Sequence, residues 1–335
     1  MNVQRHGIKA FLFRQETVLG VVLVLEWFYF DAVGRNFGTY DNTCDILRHS
    51  SEIGLLALAL TPIILTGGID LSVGSLLGLC AILFGKLWRD AHLPIPLAMG
   101  CTLGLGALAG GLNAALITRL RLPPLIVTLG TYSLFRGLAE AITRGVDTFT
   151  NFPASFLALG QGRWLGVPAQ APVFLAVALG YWWLVHRSTF GRSFRAIGYS
   201  PEGARYAGIP VHRRLALVYV LAGVVSALAA ILYTARLGQA KADAGTGYEL
   251  FAITAVVLGG TSIFGGAGSV YGTLLGVTAI GALDNGLVHA LQPGEMAGML
   301  TGVLLIVVLA GSAAPKIIST LRARKAATRI AGHSS

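Results

Sequence analysis

The chain has 335 residues, 54% of them hydrophobic and 12% charged, and carries a formal net charge of +10. No water-soluble core takes up that much apolar surface, so a soluble globular class is excluded and lipid is the main solvent. In hydrocarbon every backbone polar group needs an internal partner, and long continuous apolar runs, unlike the alternating segments of a barrel, leave an all-α polytopic membrane protein.

Runs of about twenty apolar residues span a bilayer, and they predict ten transmembrane helices near 17–33, 50–66, 71–87, 94–117, 124–142, 171–186, 214–234, 249–264, 269–287 and 296–312. Residues 1–16 then form an N-terminal segment, 17–312 the transmembrane domain with its longest loop at 187–214, and 313–335 a basic tail. The first run follows Arg5, Lys9 and Arg14 like a signal sequence, but Glu26, Trp27, Phe28 and Tyr29 within it suit an uncleaved anchor better. With the amino terminus in the cytoplasm, Arg119, Arg121, Arg187, Arg192, Arg195, Arg205, Arg213, Arg214, Lys316, Arg322, Arg324, Lys325 and Arg329 also fall inside. The positive-inside rule therefore places both termini in the cytoplasm. That topology accounts for the basic charge, and its scatter over separate loops excludes a nucleic-acid partner. Cys44, Cys80 and Cys101 lack ligand spacing, so neither a disulfide framework nor a metal site is expected.

In "ILTGGIDLSVGSLLG", Ile64 to Gly78, Asp70 is the sole charge between Ile53 and Gly85. An ionised carboxylate in hydrocarbon costs at least about 2.5 kcal/mol and faces protein or water. Gly67 and Gly68 end one helix, and Asp70 or Ser72 caps the next. The break so formed borders a candidate solute path, on which Asn113, Thr128 and Tyr132 offer neutral hydrogen bonds to hydroxyls or to neighbouring helices. "GGIDLSVGSLLGLCAI" (67–82) is echoed in "GGAGSVYGTLLGVTAI" (265–280), with one gap. Repeated halves with interrupted helices are a feature of transporters. The 44 glycines let helices approach closely.

Arg136 and Glu140, four residues apart on the fifth span, share a face and are expected to pair within the membrane. In 187–214, Ser200 before Pro201 is an N-cap and first-turn pair, Glu202 complements the positive helix end, and Gly208 with Pro210 closes the helix. An isolated helix of roughly two turns is unstable in water, so it must dock on the bundle or on a partner. "TGYE", Thr246 to Glu249, has the capping-box spacing at the outer start of the eighth span.

The motif "ILTGGIDLSVGS", the loop "FGRSFRAIGYSPEGARYAGI" and "GTGYELFAITAVVLGGTSIFGGAGS" (245–269), in that order, resemble the permease subunits of bacterial ABC importers for ribose, rhamnose, autoinducer-2 and related monosaccharides. The resemblance covers nearly the whole chain. It implies the ten-helix-per-subunit architecture, an inner-membrane location, a second permease copy or homologue, two cytoplasmic ABC ATPase subunits and a periplasmic solute-binding protein. It further implies that Arg195, Ala196, Ile197, Gly198, Ser200, Pro201, Glu202, Gly203, Ala204, Arg205, Gly208 and Ile209 seat in a groove of the ATPase. Arg236, Lys241, Asp243, Thr246 and Glu249 then form an outer landing surface for the binding protein.

No G-x-x-x-x-G-K-[ST] motif occurs, so the chain is not expected to hydrolyse ATP or to hold a cofactor; ATP and Mg belong to the partner ATPase. The expected function is passage of a monosaccharide or similar polyol-like solute inward by alternating access. Two alternatives stand beside it: an ion-coupled secondary transporter using Asp70, and an ABC permease for nucleosides or amino acids.

Overall fold

The computed structural model describes residues 15–291 and 296–306. The expected N-terminal segment, the basic tail and the end of the tenth span lie outside these. The described residues form a helical bundle: α1 (Gln15–Val33), α2 (Tyr40–Leu65), α3 (Val73–Arg89), α4 (Ile95–Thr118), α5 (Pro124–Thr143), α6 (Ala154–Gln161), α7 (Gln170–Trp182), α8 (Thr189–Tyr199), α9 (Pro201–Tyr206), α10 (Val211–Leu237), α11 (Tyr248–Leu258), α12 (Val270–His289) and α13 (Met296–Ile306). The only strands among them, β1 (Arg163–Trp164) and β2 (Val167–Pro168), pair around Leu165 and Gly166. Both turn residues have positive φ, at 53° and 85°, as a two-residue I′ hairpin turn requires.

Among the described residues, α4, α5 and α10 are long and apolar enough to cross a membrane by length and composition alone. Other expected spans are shorter or carry charges. α2 starts ten residues before the expected span and carries Asp41, Asp45, Arg48 and Glu52. α11 stops at Leu258, six residues short of the expected end. The short α6 and the hairpin were not anticipated.

The bundle is built around α2, whose residues from Leu55 to Leu65 are all buried. α10 packs beside it and against α4. At that second contact, a Cβ on Gly223 would lie 2.0 Å from the Gly106 carbonyl oxygen, and one on Gly110 would lie 2.3 Å from the Tyr219 carbonyl oxygen. The two backbones touch because neither helix carries a side chain there. Gly259 and Gly272 bring α11 and α12 together in the same way, with 2.1 Å and 1.8 Å to each other's carbonyl oxygen. Leu25, Phe28, Leu108 and Ile126 on the outer faces of α1, α4 and α5 are exposed, as lipid-facing residues are.

Candidate functional site: a helical knuckle on two broken crossings

Two helices, α2 and α11, break at the same end of the bundle. α2 ends in a Schellman motif: Gly67 sits at φ +82°, its N–H donates to Ile64 (2.9 Å), and the Gly68 N–H donates to Ile63 (3.0 Å). α11 ends the same way, with Gly260 at φ +92° and N–H bonds from Gly260 to Val257 (3.0 Å) and Thr261 to Val256 (3.1 Å). Each break then leads to a serine at the N-cap position, Ser72 before α3 and Ser269 before α12. The echo in the sequence therefore has matching local structure. The glycine equivalent to Gly67 is Gly260, however, and not the expected Gly265. The breaks are joined by a hydrogen bond from the Gly266 N–H to the Leu65 carbonyl (2.9 Å).

The segment 187–214 sits on this joint. It is a pair of helices and not the expected isolated helix. α8 begins at Ser188, whose hydroxyl accepts from the Phe190 N–H (3.0 Å), and α9 begins at Ser200, whose hydroxyl accepts from the Gly203 N–H (3.0 Å). Pro201 follows at the first helical position, and Gly208 at φ +80° closes α9, with the Ile209 N–H reaching back to Ala204 (3.0 Å). Ile197, Ala204 and Val211 form a small buried core beneath, flanked by Ala196 and Ile209. α9 is only six residues long, so this core and α8 stabilise it.

The knuckle has two faces. Inward, Arg195 donates to the carbonyls of Val185 (3.1 Å) and Gly268 (3.3 Å). A Cβ on Gly198 would lie 2.2 Å from the Leu65 carbonyl oxygen and 2.3 Å from the Gly266 nitrogen. Outward, Tyr199 and Tyr206 are 77% and 91% exposed, and Glu202, Gly203 and Arg205 are exposed beside them. Arg205, Ile209, Pro210, His212 and Arg213 line a cleft of about 350 Å³. Arg214 is turned back over the Phe190 ring at 3.9 Å.

Asp70 is 2% exposed. One of its carboxylate oxygens accepts from the Ser72 N–H (2.8 Å) and the Ser72 hydroxyl (2.6 Å), and the Ser72 oxygen accepts from Asn113 Nδ2 (2.9 Å). This is an Asx turn ahead of α3. It corrects the expected cap, because the Ser72 hydroxyl is committed to Asp70 and makes no cap bond. Thr128 Oγ1 donates to the Ile69 carbonyl (3.2 Å), and Tyr132 is half-buried one turn further along α5. Asp70, Ser72, Asn113 and Thr128 thus bind the first break to α4 and α5.

The expected Arg136–Glu140 pair does not form. Arg136 donates instead to the carbonyls of Ala242 and Ala244, holding the loop before α11 against α3 at Gly78. Glu140 is exposed and lines a cleft of about 320 Å³ at the other end of the bundle with Asp147, Lys241 and Asp243. The expected outer surface divides accordingly. Lys241 and Asp243 share that cleft, and the Thr246 hydroxyl donates back to Asp243 (2.6 Å). Glu249 is buried against Gly74, and α11 starts from Gly247 at φ +81° with no side-chain cap, so the Thr246–Glu249 capping box is absent.

Arg236 also leaves the outer surface. Its Nε and Nη2 donate to the two carboxylate oxygens of Glu52 at 2.7 and 2.8 Å, and its Nη1 lies 3.3 Å from His49 Nδ1. Sequence reasoning missed Glu52. It lies one residue before the apolar run that contains Asp70, and an acidic residue at that edge with Arg236 at the end of the seventh span was the available signal. Among the described residues no group of His, Cys, Asp and Glu is arranged to hold a metal ion.

Residues 42–309 match the family described as branched-chain amino acid transport system / permease component. The autoinducer 2 import system permease protein LsrD of Escherichia coli (strain K12) is 40% identical over 309 residues, covering 88% of this chain and 91% of that protein. The LsrD proteins of Shigella flexneri and Escherichia coli O157:H7 match with the same identity and coverage. No solved structure matches. With the match running from the start of α2 through α13, across both breaks and the knuckle between them, the chain belongs to this family of ABC-importer permease subunits.

Proposed function

We propose that this chain is the multi-pass inner-membrane permease of an ABC importer, worked by a cytoplasmic ATPase that grips the knuckle, and that its cargo is a small sugar-like solute such as a monosaccharide or autoinducer-2. The observation that carries the reading is the two-faced knuckle, anchored inward by Arg195 and Gly198 and presenting Tyr199, Glu202, Arg205 and Tyr206 outward. Exposed tyrosine and arginine are the residue types that anchor protein interfaces. Arg119 and Arg121 between α4 and α5, and Arg187, Arg192 and Arg213 in or beside the knuckle, lie at the same end, which supports a cytoplasmic orientation for it and for both termini.

The family description names amino acid transport, whereas the LsrD relatives are described as autoinducer 2 permeases. Identity of 40% over most of both chains favours the sugar-like cargo. A second permease copy or homologue completes the pore, the partner ATPase holds ATP and Mg, and a periplasmic binding protein lands near Lys241 and Asp243. Coupling is mechanical, through a switch between two packings of the bundle.

Replacing Tyr206 with alanine and Arg205 with glutamate tests the grip. Each truncation of an interface anchor costs about 2 kcal/mol, roughly thirtyfold in affinity. The double variant is expected to insert normally, lose the co-purifying ATPase and lose uptake. Full retention of the ATPase and of uptake would contradict the assignment.

A further inference from the structure

We propose that the knuckle is a wedge clamping the two helix breaks together, with Gly198 and Arg195 as the positioning residues that pass its displacement into the bundle. The inference rests on the reading above and adds the internal route of the force. Gly198 packs directly on the hydrogen bond that joins the breaks, since its missing Cβ would meet both the acceptor at Leu65 and the donor at Gly266. Gly265, at φ +83°, lies against both other parts: a Cβ there would be 2.8 Å from Gly198 Cα and 2.9 Å from the Gly67 nitrogen. The Tyr199 ring is within 3.1 Å of where a Gly266 side chain would begin. Arg195 spans from Val185, in the turn that follows α7, to the second break at Gly268.

Backbone packed on backbone has no rotamers to absorb a movement, so displacement of α8 is transmitted and not dissipated. Each break is in turn tied onward. Ile69 is bonded to Thr128 on α5, and Asp70 reaches Asn113 on α4 through Ser72. In the second break, His186 Nε2 accepts from the Val270 N–H (3.1 Å) at the start of α12. One contact point thereby reaches α2, α3, α4, α5, α11 and α12, while the outward face of α9 takes no part in it.

The test uses the purified permease–ATPase complex in proteoliposomes with its binding protein, reading ATPase retention and solute taken up per ATP hydrolysed. Gly198→Ala forces the wedge off the joint. The expected result is a bound ATPase with the ratio reduced several-fold. Arg195→Gln removes only two carbonyl bonds and is expected to lower the ratio to a smaller degree in a protein that folds. An unchanged ratio in Arg195→Gln, or in a folded Gly198→Ala, overturns the wedge. Loss of the ATPase from either variant also overturns it, because the residues would then serve docking. Failure of the unmodified permease to retain any ATPase would instead overturn the reading it rests on.

Discussion

Gly223→Val is expected to leave little folded protein. The α4–α10 contact is made where Gly106 and Gly110 meet Gly223, and the first Cβ atom alone would fall 2.0 Å from a backbone oxygen of Gly106 and 2.8 Å from the Gly110 nitrogen. A flexible side chain could move aside, whereas two helix backbones can only separate. Overpacking in a core costs about 1–3 kcal/mol and occasionally more. Between membrane helices no hydrophobic force draws the separated pair together again, because lipid solvates them equally well. The measurement is the monodisperse fraction after detergent extraction, with Gly104→Val as the control. Gly104 lies on the same α4 helix, but a Cβ there meets nothing within 4 Å. A large loss for Gly223→Val with little change for Gly104→Val is expected, and equal behaviour would contradict the packing argument.

Glu52→Ala is expected to be nearly as damaging, and for a different reason. Glu52 is fully buried, and Arg236 closes on both of its oxygens. Removing one member strands the other charge, at a cost of about 3–5 kcal/mol, whereas replacing the whole pair with apolar residues of similar volume is often neutral. Thermal melting of the single variants should therefore fall sharply, and Glu52→Leu combined with Arg236→Met should recover most of the loss. If Arg236 instead served the binding protein, Arg236→Met alone would melt normally and lose only uptake.

The sequence conveyed what is local. Ser200, Pro201 and Gly208 specify the ends of α9 wherever the helix packs, and Gly67 marks the end of α2 because a left-handed residue is required there. The residues that resemble ABC permeases fall on the two breaks and on the knuckle between them. What the sequence withheld is relational. Arg136 and Glu140 share a helix face, but Arg136 is drawn to carbonyls of the 242–244 loop, a partner more than a hundred residues away. The same is true of Glu52 and Arg236, which meet only because α2 and α10 pack together. α8 escaped notice because its apolar side chains Phe194 and Ile197 are spaced among arginines and read as a basic loop. Ten crossings were expected from hydropathy, yet crossings that are broken or charged depend on neighbouring helices for burial and do not announce themselves by composition.

The central claim is that force arrives from the cytosolic side through the knuckle and that the chain moves no solute by itself. Its most direct measurement is solute uptake into proteoliposomes holding the purified permease, with the partner ATPase, ATP and binding protein supplied or withheld, and with an imposed proton or sodium gradient as the alternative drive. The account predicts uptake only when all the partners and ATP are present and none under a gradient alone. Uptake by the permease alone on an ion gradient would contradict it.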